Sequence, residues 1–180
     1  MKKEIKIHDL EFEEFISSER IQARIQEMAD QLNTDYKDAD PIIVPVLSGA
    51  FLFAADLIRR MDVGPEIHFI KASSYGDELE SSGKVKILLD VPVDLKGRHV
   101  LIMEDIVDSG LTCSFLCDYF ARQSPASIEI VSLLYKPENL KYPPVPKYVG
   151  FEIGPDFVVG YGLDYAQKGR DHDAIYILKD

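Results

Sequence analysis

Two rhythms of apolar and polar positions run along the chain. Ile21, Ile25, Met28 and Leu32 recur at helical spacing, and Ser17 and Ser18 just ahead of them can accept the unpaired amides of a helix start. An amphipathic helix is predicted there. Beyond the turn-like residues Asp38 to Pro41, the run IIVPVL is apolar without alternation, as in a strand buried on both faces. Ser48 and Gly49 then lead into the helical stretch AFLFAADLIRR. EIHFIKA, VKILLDV and HVLIMED read as further strands, the last running through SGLT into a helix from about Cys113 to Gln123. SIEIVSLLY reads as another strand. Strands alternating with helices predict an α/β domain with a central, mainly parallel sheet flanked by helices, and a ligand site beyond the carboxyl ends of the strands.

Length and composition narrow the picture. The chain has 180 residues, and residues 1–180 are expected to form one domain with a sizeable core. KYPPVPK reads as a local extended linker rather than a domain boundary. The stretch SSYGDELESSGK, from Ser73 to Lys84, is polar and rich in Gly and Ser; it reads either as a mobile loop or as a long hairpin connection. No apolar run approaches the roughly 18 residues of a membrane span, and MKKEIKIHDL lacks a signal core, so a soluble, cytoplasmic protein without a membrane partner is expected. The formal charge of -11, from 31 acidic and 20 basic residues, repels polyanions and argues against a nucleic-acid partner. Cys113 and Cys117 suit neither a disulfide framework nor a zinc site and read as reduced core residues. His8, His68, His99 and His172 share no metal-ligand spacing.

Chemistry concentrates in VLIMEDIVDSGLT, residues 100–112. Gly110 permits a tight turn, the amides opening the next helix point outward, and the hydroxyls of Ser109 and Thr112 add donors, so the segment can cradle a phosphate. Glu104 and Asp105 at the strand end can accept hydrogen bonds from vicinal sugar hydroxyls or hold a hydrated magnesium ion. Asp108 is left to meet a further group. The plainer alternative is an ordinary strand-to-helix connection carrying exposed acids. Neither the triphosphate-loop pattern ending in Gly-Lys-Ser/Thr nor a dinucleotide Gly-x-Gly-x-x-Gly follows a strand.

Two acids followed by Asp-Ser-Gly-Leu-Thr resemble the signature of the type I phosphoribosyltransferases, in particular the hypoxanthine-guanine group. The resemblance runs from about Ile42 onward and takes in Ser74-Tyr75, Lys136 after SLLY, the tail GFEIGPDFVVGYGLDY and Arg170. It implies the type I phosphoribosyltransferase fold, with a small hood region and a mobile loop. It also implies purine salvage: transfer of the phosphoribosyl group from phosphoribosyl pyrophosphate (PRPP) to hypoxanthine or guanine, assisted by Mg2+. By that resemblance Glu104 and Asp105 hold the ribose hydroxyls and metal, while Asp108, Ser109, Gly110, Leu111 and Thr112 hold the 5-phosphate. Asp108 also handles the proton at purine N7. Lys136 donates to the 6-oxo group, Phe157 stacks on the purine, and Val158 offers backbone groups to the base edge. Asp164 is a ligand of the second magnesium, directly or through water, Arg170 reaches the pyrophosphate, and Ser74 with Tyr75 forms the lid. Without the family, Lys136 is equally a solvated lysine, Phe157 a strand-core residue, and Asp164 and Arg170 surface charges.

One position departs from the pattern. Where relatives carry a basic residue in the turn after the first core strand, this chain has Leu47-Ser48-Gly49, so a cation is missing while the backbone amides remain able to bind pyrophosphate; the plain reading makes Ser48 a helix cap. Other readings are transfer to xanthine or a pyrimidine, or a protein that senses PRPP or purine without catalysis. A homodimer or homotetramer is expected on the prior that small α/β enzymes form symmetric oligomers.

Overall fold

A computed structural model of the protein describes residues 3–74 and 85–179. In chain order the elements are β1 (Glu4–Ile7), β2 (Leu10–Ile16), α1 (Ser18–Asp35), β3 (Ile42–Pro45), α2 (Phe51–Ile58), β4 (Glu66–Ile67), β5 (Lys71–Ser74), β6 (Val85–Leu89), β7 (His99–Val107), α3 (Leu111–Ala121), β8 (Ser127–Tyr135), β9 (Tyr148–Glu152), β10 (Val158–Val159) and β11 (Ile175–Leu178). Ser17 caps α1, accepting the Arg20 amide on its hydroxyl, and Ile21, Ile25, Met28 and Leu32 are buried, as their spacing predicts.

The central sheet has the order β4-β3-β7-β8-β9, and every pairing in it is parallel. Successive residues of a strand point to opposite faces. Ile43, Leu101, Met103, Val131 and Leu133 therefore pack against α1 and α2, while Ile42, Val44, Val100 and Ile102 pack on the other face with Leu116 and Phe120 of α3. Both faces are covered, which is why these strands are apolar without alternation. Arg24 of α1 donates to the carbonyls of Val149 and Gly150, fastening the helix to the edge strand β9.

A second, antiparallel sheet of order β1-β2-β11-β10 joins the two ends of the chain and forms the hood. Two predicted strands behave differently from expectation. EIHFIKA is not one strand: only Glu66–Ile67 joins β3, Ile70 makes a single bridge to Val46, and Lys71 onward leaves the sheet. VKILLDV contributes β6, which pairs antiparallel with β5 in a separate two-stranded sheet. The loop expected between Ser73 and Lys84, with Tyr75 of the lid, lies outside the described residues, apart from the backbone of Ser73 and Ser74 at the end of β5. KYPPVPK is more than a spacer, because the Lys141 and Tyr142 amides both donate to the Ser109 carbonyl at 3.0 Å. Among the described residues no helix is long and apolar enough to cross a membrane.

Candidate active site

The parallel register of β7 and β8 assembles the site. Val107 lies opposite Tyr135, so Asp108 and Lys136, the next residue of each strand, leave the sheet side by side. The Lys136 amide continues the ladder to Val107 O at 3.0 Å, and its ammonium reaches Asp108 Oδ2 at 3.3 Å and the Pro155 carbonyl at 3.2 Å. Lys136 is only 5% exposed. A lysine so enclosed is held by acceptors rather than solvated, which removes the plain reading of this residue.

Residues 104–113 line a cavity of about 240 Å3 at the end of β7. Gly110, at φ +82°, turns the chain into α3, whose first amides have no partners within the helix. Ser109 Oγ accepts the Leu111 amide at 3.4 Å, and Thr112 is half-buried in the first turn of α3. Amides opening a helix around a concavity of this size suit an anion such as a phosphate.

Above the cradle sit the two acids. Glu104 is 6% exposed, and burial, reinforced by the neighbouring Asp105, pushes its pKa well above the usual carboxylate range. Burial likewise raises Asp105 to about 6, against the pull of its bond from the Ile106 amide and of nearby Arg170; the charge of Asp164 adds to the rise. Carboxylates this reluctant to ionise are short of positive charge and donors, which a cation or sugar hydroxyls would supply. Among the described residues no group of three or more His, Cys, Asp or Glu side chains forms a metal cage. Magnesium does not require one, since it keeps several waters and uses one or two carboxylates with substrate phosphates. Asp105 and Asp164 fit that donor set.

Two loops close on this centre. The Leu47-Ser48-Gly49 turn, with a cis Leu47–Ser48 peptide, lies directly against Asp105: a Cβ on Gly49 would collide with its carboxylate. Ser48 is exposed and is not the helix cap, a position taken by Ala50 without any side-chain bond. Among the described residues, no protein acceptor takes a hydrogen bond from the Ser48 or Gly49 amide. Gly162, at φ +98°, packs so closely on Gly49 that a Cβ would meet its carbonyl oxygen. The chain then makes a tight reversal in which Tyr165 and Lys168 exchange backbone hydrogen bonds, with Ala166 and Gln167 at positive φ between them. That reversal brings Arg170 back to Asp164, which it meets at 2.7 Å, and to the Gly162 carbonyl at 2.6 Å. Neither is a loose surface charge.

Phe157 is 41% exposed, with its ring against Phe12 of β2 and Tyr165 at centroid distances of 6.1 and 5.9 Å. It is therefore not a core residue, and Val158 next to it is buried in β10. The sequence pattern missed Asn139, whose amide donates to Asp108 Oδ1 at 2.8 Å, and the half-buried brace in which Tyr161 and Gln22 both donate to Asp56. Only Lys136, three residues before Asn139, pointed to that neighbourhood.

A parallel sheet with an anion-sized cavity, paired acids and a lysine converging at neighbouring strand ends is the arrangement expected of a phosphoribosyltransferase. The sequence profile of the phosphoribosyl transferase domain family matches residues 13–166, and the chain belongs to that family. It is 45% identical over 172 residues to the hypoxanthine-guanine phosphoribosyltransferase of Bacillus subtilis, covering 96% of this chain and 95% of that protein. The crystal structure of a hypoxanthine-guanine phosphoribosyltransferase from Bacillus anthracis superposes with a TM-score of 0.88 at 42% identity, covering 97% of this chain and 100% of the other. A hypoxanthine phosphoribosyltransferase from Staphylococcus aureus gives 0.89 at 38% identity over 92% and 90% of the two chains.

Proposed function

We propose that the protein, as a single unit spanning the chain, is a purine salvage transferase that moves the 5-phosphoribosyl group of PRPP to hypoxanthine and guanine, yielding IMP or GMP and pyrophosphate. The observation that carries this reading is the side-by-side exit of Asp108 and Lys136 from β7 and β8, directly beyond a phosphate-sized cradle and the Glu104-Asp105 pair. The cradle from Asp108 to Thr112 holds the 5-phosphate, and the two acids face the ribose hydroxyls. The Ser48 and Gly49 amides and Arg170 hold the pyrophosphate end. Asp105 and Asp164 would hold Mg2+, whose charge would neutralise the departing pyrophosphate. The chemistry of the reaction supports this role for the acids. Positive charge grows on the ribose ring as the anomeric C–O bond breaks, and carboxylates fixed beneath the ring are stabilising mainly in that transition state.

Base choice follows from donors. Lys136 has no acceptor lone pair, so it favours a 6-oxo group and leaves the amino group of adenine without a partner. The open face of Phe157 suits stacking on the ring, with Val158 offering its backbone to the base edge. Ser74 and Tyr75 act as the lid that excludes water from the activated ribose.

A second copy of this chain is the partner we favour. Phe51, Ile67 and Phe69 are 40%, 39% and 44% exposed around a groove also lined by Ala54, Ala55, Ile58 and Arg59. The groove begins two residues after Gly49, so a copy seated there would brace the pyrophosphate turn. The free thiols Cys113 and Cys117 fit a reducing, cytoplasmic setting.

The test is product formation from PRPP and Mg2+ with hypoxanthine, guanine, xanthine, adenine or uracil offered separately, with Asp108→Asn as control. Nucleotide is expected from hypoxanthine or guanine, with a loss of at least about 100-fold in the variant. Nucleotide from xanthine or uracil alone would overturn the roles of Lys136 and Phe157. PRPP binding without turnover of any base would make the protein a sensor.

A further inference from the structure

Asp108 must present one carboxylate oxygen to the incoming base, yet its side chain is half exposed, and Lys136 contacts Oδ2 on one side. What fixes the other oxygen is a strap of chain after β8. Pro137–Asn139 makes a single turn of 3-10 helix, closed by the Asn139 amide on Lys136 O at 3.2 Å and the Leu140 amide on Pro137 O at 3.4 Å. The Lys141 and Tyr142 amides then grip the Ser109 carbonyl, and the Leu140 side chain and Tyr142 carbonyl press so closely on Gly110 that no Cβ fits there. The strap is thus locked to the same loop that carries Asp108. From this fixed backbone Asn139 donates to Asp108 Oδ1 at 2.8 Å. Since an ionised carboxylate accepts only, the amide must turn its NH2 toward it.

We propose that Asn139 is a positioning residue for the chemical step: it holds Asp108 Oδ1 so that Oδ2 is aimed at purine N7. The role rests on the transferase reading above. In that reaction Lys136 turns its ammonium toward the 6-oxo group, which loosens its hold on Oδ2 and leaves Asn139 as the anchor. Purine N9 forms its bond to the anomeric carbon as the C–O bond to pyrophosphate breaks. The bonding pair leaves with pyrophosphate, and the N7 proton passes to Asp108 Oδ2, so the nucleotide base ends neutral and Asp108 protonated. A carboxylate free to rotate would meet N7 in only a fraction of encounters, and misplacement on the scale of 1 Å is enough to slow such a transfer about 100-fold.

The experiment compares Asn139→Ala, Asn139→Asp and Asn139→His with the native protein in single-turnover formation of IMP from hypoxanthine and PRPP, alongside the KM for PRPP and thermal unfolding. Asn139→Asp keeps the shape of the side chain but replaces the donor by a repelling acceptor. Its single-turnover rate is expected to fall about 100-fold and that of Asn139→Ala about 10-fold, with the KM for PRPP within about threefold and unfolding within a few degrees. Asn139→His, whose ring N–H can occupy the donor position, is expected to recover most of the rate. The proposal is overturned if Asn139→Asp turns over at the native rate, or if all three variants lose rate only in step with PRPP affinity and folding. A native protein that makes no nucleotide overturns the transferase reading itself, and this role with it.

Discussion

Asp105 costs the unliganded protein stability at neutral pH. Its pKa stands at about 6 in the fold against an ordinary 3.8, chiefly because burial opposes the charged form. The folded state therefore binds this proton more tightly than the unfolded chain does. Below about pH 4 the carboxyl is protonated in both states and carries no penalty. As pH rises from about 4 to about 6 the penalty accumulates, and above 6 it is complete, on the order of 2–3 kcal/mol. Asp105→Asn is accordingly expected to raise the melting temperature by several degrees at pH 7.5 in the presence of a chelator, and to give no gain at pH 4, while removing transferase activity. Melting curves of the two proteins at both pH values check this; equal melting temperatures at pH 7.5 would remove the idea that the site stores electrostatic strain for its ligands. Residues of this kind are legible in sequence because the motif is local: Glu104, Asp105 and Asp108 to Thr112 all fall within residues 104–112. Asn139 is not, since its partner lies 31 positions away and only the β7–β8 register brings the two together.

At the scale of elements, the site depends on two glycines from distant loops touching. Gly162 has φ +98°, and its missing Cβ leaves room for the carbonyl of Gly49, which in turn lies against Asp105. Gly162→Ala meets backbone, which cannot swing aside as a side-chain tip can. We expect a loss of about 2–3 kcal/mol in urea unfolding and at least a tenfold fall in kcat/KM for PRPP. A variant with native stability and native kcat/KM would mean that the two loops part without consequence. The same scale explains what the apolar pattern left unread. In β2, Phe12 and Ile16 point inward but Phe15 is exposed, and the pairing with β11 slips between Ile175 and Tyr176, so period-2 alternation is broken where a strand would otherwise announce itself. β10 has two residues, too short for any periodicity. By contrast the doubly covered strands β3, β7 and β8, and the capped helix α1, follow their patterns closely, because burial of one or both faces dictates the residues at nearly every position.

For the whole molecule, the acidic balance and the apolar groove act together. A chain of net charge -11 resists association unless a local apolar surface outweighs the repulsion. The groove beside α2 and β4 is such a surface: Phe51, Ile67 and Phe69 stand exposed together, and among the described residues the only charged side chain lining it is Arg59, itself paired with Asp56. A copy related by a twofold axis would set this face against itself, with no charge of the acidic majority buried. Phe69→Glu places a carboxylate in the centre of the face on each copy, so both charges would be desolvated against one another. Sedimentation velocity is expected to show the native protein well above the 20.3 kDa of one chain and the variant at that mass. Because the groove begins immediately after the Leu47-Ser48-Gly49 turn, the dissociated variant is also expected to bind PRPP several-fold more weakly while Lys136 and Asp108 keep their selection of the base. A native protein that sediments as a single chain would mean that this face is not used for self-association, and that the turn holds pyrophosphate without a neighbour's support.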